Sequence, residues 1–226
     1  MPFRDRQEAG QLLAQALAFL KGKEDVIVLG IPRGGVVVAA EVAGAIGAPL
    51  DVYITRKIGA PYNPELAIGA IASSGDVVLD EGLIGSLGVS PKYVQDETER
   101  QRREIERRLK KYRGNRPAQK LEGKTVLLID DGIATGATTL AAIRALKKQK
   151  PAELILAVPV GPPDTVARLS EEVDKLVCLD TPQLFWAVGA SYVVFDQTSD
   201  EEVVWLLQES QNRRKVPPAE PGLGAR

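Results

Sequence analysis

A chain of 226 residues with 44% hydrophobic and 26% charged content is long enough to bury a core and reads as one decorated α/β domain. The formal net charge of −1 gives no global basic field, so nucleic acid is not expected as a partner, and the absence of histidine removes His triads, His metal sites and His acid–base catalysis together. The single Cys178 precludes an internal disulfide, the opening "MPFRDRQEAG" lacks an apolar signal core, and no segment approaches the ~18 apolar residues of a membrane span, so a cytoplasmic protein with no membrane partner is expected.

In chain order, "FRDRQEAGQLLAQALAFL" puts Leu12, Leu13, Ala16, Leu17 and Leu20 on one helical stripe. "DVIVLGI" is an apolar strand leading through "PRGG" into the small-residue helix "VVVAAEVAGAIG", and "PLDVYIT" is the next buried strand. "RKIGAPYNPE" reads as a breaker-rich loop, followed by a hairpin in "LAIGAIASSGDVVLD" that turns at Ser73, Ser74 and Gly75. "SPKYVQDETERQRREIERRLKKYRG" is a long charged helix with Pro91 near its start and Gly114 past its end. Its apolar stripe is thin (Val94, Ile105, Leu109, Tyr112), which fits a solvated face; an oligomer or RNA contact is the sharper alternative. The strand "KTVLLID", the helix "GATTLAAIRALKKQK" and the strands "ELILAVPV" and "DKLVCLD" around "PDTVARLSEEV" continue the alternation, with Cys178 as a buried apolar residue. "ASYVVFD" reads as a short strand, "TSDEEVVWLLQES" as a helix with a capping box from Thr198 to Glu201, and 213–226 as a disordered tail.

Apolar strands buried on both faces and alternating with helices specify a doubly wound, mainly parallel sheet with helices on both faces. The expected division is a single domain over 1–212, in which 57–120 insert a flap, hairpin and long helix and 181–210 form a small C-terminal hood. Such sheets bind ligands beyond the carboxyl ends of their strands. The loops "PRGG", "RKIGAPYNPE" and "DDGIATGATT" all fall at such ends and are expected to converge.

In "VLLIDDGIATGATT", small residues let the backbone approach a ligand, threonines add hydroxyl donors, and the loop opens a helix whose free amides favour a phosphate. Asp130 and Asp131 would repel that phosphate if they faced it, so they are placed on its other side, where acceptor-only carboxylates grip vicinal hydroxyls. Phosphate at one end and a diol at the other describe a ribose 5-phosphate. A response-regulator receiver would need an acceptor aspartate after a later strand, which "ELILAVPVGPP" lacks, and a P-loop would need a lysine that "GIATGATT" lacks.

This stretch resembles the phosphoribosyl-pyrophosphate (PRPP) signature of type I phosphoribosyltransferases. "GIPRGG" resembles that family's pyrophosphate loop and "RKIGAPYNPELAIGA" its mobile catalytic flap, in the same chain order, so the resemblance covers about Val26 to Leu179. It implies transfer of the phosphoribosyl group from PRPP to a nitrogen nucleophile, a nucleobase-like acceptor, with Mg²⁺ carried in by PRPP and no protein metal site. PRPP would lie on Asp130, Asp131, Gly132, Ile133, Ala134, Thr135, Gly136, Ala137 and Thr138, and its pyrophosphate on Arg33, Gly34 and Gly35. Arg33, Arg56, Lys57, Asp130 and Asp131 would be the catalytic set, and Phe185, Trp186, Phe195 and Asp196 would build the base-covering hood. Family members often carry a non-proline cis peptide in the pyrophosphate loop, and the sequence leaves open whether it falls at Pro32–Arg33 or Arg33–Gly34. A PRPP sensor binding RNA or a protein is the alternative, and homo-oligomerisation is left open.

Overall fold

The structure is a computed structural model and describes residues 2–215. Five parallel strands form the main sheet in the order β2-β1-β6-β7-β8: β1 is Val26–Gly30, β2 Leu50–Val52, β6 Thr125–Ile129, β7 Glu153–Val160 and β8 Lys175–Asp180. The chain reverses winding direction between β1 and β6, which pair in register from Val26–Thr125 to Gly30–Ile129. That switch point places the ends of both strands, and the loops after them, side by side.

Unbroken apolar runs are needed because each strand is covered twice. Val28, Leu127, Ile129 and Ile155 point to one face and pack with α1 (Arg6–Ala16), α2 (Gly34–Ile46) and the C-terminal helix α7 (Asp200–Lys215). Ile27, Leu29, Val126, Leu128 and Leu156 point to the other, under α5 (Ala137–Lys148) and α6 (Pro163–Ser170). Leu127, Leu128 and Ile129 are fully buried, each contributing about 1.5–3 kcal/mol of transfer free energy. On α1 the buried face is Ala9, Leu13, Ala14 and Leu17; Leu12 and Ala16, expected on the stripe, face solvent.

Between β2 and β6 the chain leaves the main sheet. The stretch "RKIGAPYNPE" is not a loop: β3 (Thr55–Ala60) and β4 (Asn63–Ala72) are antiparallel strands joined by a tight turn, and β5 (Val77–Leu79) adds a third strand across the Ser73–Gly75 turn. A short helix α3 (Glu81–Ser86) follows, then α4 (Pro91–Arg113), capped by the Ser90 side chain and ended at Gly114. This helix is less solvated than its charge implies. Tyr93 and Val94 pack with Ile58, Ala60 and Ile68 of the flap, while Ile105 and Tyr112 enter the main core. At its far end Arg113 meets Asp51 of β2 at 2.8 Å with both side chains nearly buried, and Tyr112 and Lys111 bond to Asp200 at 2.6 and 2.9 Å. The helix is a strut joining the flap to the start of α7.

The segment read as the strand "ASYVVFD" is a 3₁₀ turn at Val188–Ser191 followed by an isolated bridge between Phe3 and Tyr192. The cap of α7 is one residue later than read: the Ser199 hydroxyl accepts from the Glu202 amide. The helix runs to Lys215, three residues into the segment read as a tail, and 216–226 lie outside the described residues. No helix among the described residues is long and apolar enough to cross a membrane.

Candidate functional site

The acidic pair sits where β6 ends. Asp130 Oδ1 accepts from the Asp131 amide at 2.9 Å, and Asp131 Oδ2 accepts from Arg6 Nε at 2.7 Å. Each carboxylate thus has one oxygen held by protein. Every buried side-chain polar atom among the described residues is hydrogen-bonded, and both aspartates are half-buried, so neither carboxylate is sealed inside the core. Enclosure by protein and the adjacent Asp131 charge push the Asp130 carboxyl well above the usual carboxylate range, and the two carboxyls lie within hydrogen-bonding reach of each other.

The loop that follows is pinned at its edges and open at its crest. Ile133 is buried and its amide donates to the Val160 carbonyl at 2.9 Å; Thr165 Oγ1 donates to the Ala134 carbonyl at 2.9 Å and Arg168 to the Thr135 carbonyl at 2.5 Å. Gly136 caps α5 with φ 70°, a conformation glycine adopts without penalty, and a Cβ there would meet Thr165 and Leu169. The Ala137 amide donates to the Thr135 hydroxyl at 3.5 Å, and Gly136 opens α5, so the positive end of that helix lies at the loop. Ala134, Thr135, Ala137 and Thr138 are exposed, while Gly132 is buried against Val160 and Val188.

The "PRGG" turn closes on this loop although about a hundred residues separate them. A Cβ on Gly34 would overlap the Asp131 carboxylate, and one on Gly35 would come 2.8 Å from Asp130 Cα and 2.9 Å from its Oδ1. Only glycine lets the first turn of α2 stand this close to the end of β6. The Pro32–Arg33 bond is cis. Arg33 occupies the N-cap position of α2 without a side-chain cap bond, and its charge acts on Tyr112 and Asp200 at the junction of α4 and α7.

Arg56 and Lys57 part company. Alternation along β3 puts Thr55 and Lys57 on one face and Arg56, Ile58 and Ala60 on the other. Thr55 Oγ1 donates to the Thr138 carbonyl at 3.3 Å, so Lys57 shares the face that meets the phosphate-type loop; its ammonium bonds Glu65 at 2.8 Å. Arg56 turns away, donating to Gln101 of α4 at 2.5 Å, and burial together with the Arg108 charge lowers its pKa. The expected placement of Arg56 at the site is therefore not what the structure shows.

The segment expected to form the hood packs against residues 3–6. Phe3 bonds through its amide to the Ser191 carbonyl at 2.8 Å, and Val193 and Val194 donate to the carbonyls of Phe3 and Arg4, each at 2.8 Å. Tyr192 donates its hydroxyl to the Asp131 carbonyl at 2.5 Å and stacks on Phe3 and Phe195. Phe185, expected over an acceptor, is half-buried beside Phe3, Val160 and Tyr192. Trp186 is 86% exposed, and Asp196 takes part through its carbonyl, which accepts from Arg6 at 2.7 Å. Arg6, Phe3 and Tyr192 were invisible to motif reading; an arginine in the first helix gives no local signal of an acid 125 residues away.

Cys178 is half-buried in β8, and burial pushes its thiol up to about 11, which fits an unreactive residue. No group of three or more metal-type ligands occurs among the described residues.

A parallel sheet with its acid pair and glycine–threonine loop at the switch point defines a phosphoribosyl-transfer fold, and the chain belongs to the phosphoribosyl transferase domain family, whose model matches residues 5–193. It is 46% identical over 208 residues to Rv0571c of Mycobacterium tuberculosis H37Rv and its counterpart MT0597 of strain CDC 1551, both named as phosphoribosyl transferases on a provisional footing. The match covers 92% of this chain and 47% of theirs, so the chain spans about half the length of these curated relatives. TT1426 from Thermus thermophilus, known from a crystal structure, is 45% identical with a TM-score of 0.82 over 92% of this chain and 99% of that one.

Proposed function

We propose that the protein transfers the 5-phosphoribosyl group of PRPP to a nitrogen nucleophile, a nucleobase-like acceptor, releasing pyrophosphate, with Mg²⁺ arriving as part of the substrate. What supports this reading is the acid pair: two half-buried carboxylates, each with one oxygen bonded within the protein, beside an exposed loop that opens α5. The remaining oxygens on neighbouring residues suit the 2- and 3-hydroxyls of a ribose, and the start of α5 around Thr135 to Thr138 suits its 5-phosphate.

Breaking the bond between the anomeric carbon and pyrophosphate builds positive charge on the sugar and negative charge on the leaving group. Asp130 and Asp131 stabilise the first. The amides of Gly34 and Gly35, the Arg33 guanidinium and the Lys57 ammonium receive the second, once Lys57 exchanges Glu65 for phosphate. Arg56 acts at a distance, holding the flap against α4. Closure of the flap and of the exposed Trp186 segment excludes water that would otherwise hydrolyse PRPP.

Pyrophosphate release from Mg²⁺–PRPP across adenine, guanine, hypoxanthine, xanthine, uracil and orotate tests the reading, with release dependent on one base as the expected result. Asp131→Asn should weaken PRPP binding by about 1.5–3 kcal/mol, the range for a charge-assisted hydrogen bond. An unchanged titration would refute the diol assignment. Binding should also strengthen as pH rises through the raised Asp130 midpoint, because the ionised pair accepts both hydroxyls, and level off above it. The sensor alternative draws little from α4, where Arg100, Arg103, Arg107 and Arg108 pair with Glu97, Glu99 and Glu104 of the same helix. PRPP binding with no turnover on any base would favour it.

A further inference from the structure

Four residues close a ring around one of the two acids. Arg6 Nε bonds Asp131 Oδ2 at 2.7 Å with the two side chains only 12% and 16% exposed. The same guanidinium donates from Nη1 to the Asp196 carbonyl at 2.7 Å and lies over the Phe195 ring, 3.8 Å from its centroid. Phe195 is tilted against Tyr192 at 5.0 Å, and Tyr192 donates to the Asp131 carbonyl. The first helix, the hood and the end of β6 therefore meet in one contact set, and the Gly34 turn packs directly on it, 2.5 Å separating Arg6 Nε from the point where a Cβ would stand.

Resting on the PRPP reading above, we propose that Arg6 is a positioning residue of the phosphoribosyl site: it holds the Asp131 carboxylate in the one orientation that turns its other oxygen toward a ribose hydroxyl. Three constraints on a single guanidinium leave it little freedom, and the fork geometry of arginine is what allows Nε and Nη1 to serve different acceptors at once. A lysine has no equivalent.

Arg6 also supplies charge. The charged and titratable groups around the Asp130 carboxyl are Asp131 from its own loop and Arg6 from α1; Tyr192 of the hood adds a hydroxyl on the Asp131 backbone, and the Gly34–Gly35 turn adds only amides. Asp131 discourages ionisation of Asp130 and Arg6 encourages it. Two adjacent carboxylates can then both accept hydroxyl protons at a pH where, without the guanidinium, they would share one proton between them.

A helix anchor and a positioning residue make different demands. An anchor matters for stability alone; Arg6 as proposed sets the titration of a neighbour and the affinity for a sugar. The experiment compares wild type, Arg6→Lys and Arg6→Met, each first shown by thermal unfolding to be folded. In ligand-free protein, carbon-13 NMR of the aspartate carboxyls, assigned with Asp130→Asn, should show the Asp130 midpoint rising in Arg6→Met. Arg6→Lys, which keeps charge but not geometry, should hold it near wild type. Calorimetry above those midpoints should show PRPP bound about tenfold more weakly by both variants, the order of one charge-assisted hydrogen bond. Pyrophosphate, which has no ribose, should bind all three alike. An Asp130 midpoint that ignores Arg6→Met, or equal losses for PRPP and pyrophosphate, would overturn the proposal. A wild-type protein that binds no PRPP refutes the functional reading and the ribose half of this inference, while a midpoint that still moves with Arg6 upholds the electrostatic half.

Discussion

Two glycines of the same helix should respond to alanine with opposite signs. At Gly35 the new Cβ meets Asp130 Cα at 2.8 Å, Asp130 Oδ1 at 2.9 Å and the Ile129 carbonyl oxygen at 3.0 Å. Ordinary contact begins near 3.5 Å, so either the first turn of α2 or the end of β6 must retreat by about 0.7 Å. Two of the three atoms in the way are backbone, one on the fully buried Ile129 that ends a central strand and one on Asp130 just after it, so no rotamer change relieves the clash. Overpacking of this kind costs about 1–3 kcal/mol. At Gly44, in the exposed middle of α2, the only atom within reach among the described residues is Arg213 Nη1 at 3.3 Å, the tip of a flexible side chain that can swing aside. There alanine gains about 0.5–1 kcal/mol by restricting the unfolded chain and favouring helix. Urea unfolding reads both: the midpoint should fall for Gly35→Ala and rise for Gly44→Ala, with the slope unchanged. A Gly35→Ala protein as stable as wild type would mean that the pyrophosphate-type turn does not press on the acid pair, and the account of the site would lose its geometric base.

The two cations of the flap should separate in kinetics. Lys57→Ala should lower kcat on the order of 10²-fold, as for loss of one donor to a developing anion. Arg56→Ala should instead destabilise the flap by about 1 kcal/mol through loss of its Gln101 bond, and hydrogen exchange in β3 reads this; a kcat loss equal to that of Lys57→Ala with no change in exchange would reverse the assignment. On α4, hydrogen bonds from Arg107 and Arg108 hold the Glu104 carboxyl down to about 2 against an ordinary 4.5. Being lowered, it contributes stability above 4.5 that fades as pH falls toward 2, so Glu104→Gln should flatten that acid limb in thermal melts followed by circular dichroism.

What was legible from sequence was local. Apolar runs such as "VLLI" announce strands covered on both sides, and a loop of glycine, alanine and threonine at a helix start announces amides facing out. The flap failed because "RKIGAPYNPE" was read by its prolines and glycine as a loop; once it is a strand, a period of two decides which cation faces the site, and Arg56 falls on the wrong side. The cap of α7 slipped by one because Thr198 and Ser199 are adjacent and equally suited, and the burial of Thr198 is tertiary information. The two strand-like valines after Tyr192 face solvent because their segment pairs only through a short bridge with Phe3 and Arg4, where the Tyr192 side chain and not theirs turns inward. Arg6 had no pattern at all.

The contact between Arg6 and Asp196 spans 190 residues of chain, and the bridge from Phe3 to Tyr192 spans nearly as many. Contacts of such separation bear the largest loop-closure entropy and form late. During synthesis the segment around Phe3 leaves the ribosome well before its partners, which are made only after all eight strands among the described residues. The parallel sheet is then able to form while the acid pair still lacks its guanidinium, so the arrangement proposed to hold a sugar is completed as the closing event of folding, later than the recovery of helix and strand that a spectroscopic signal follows.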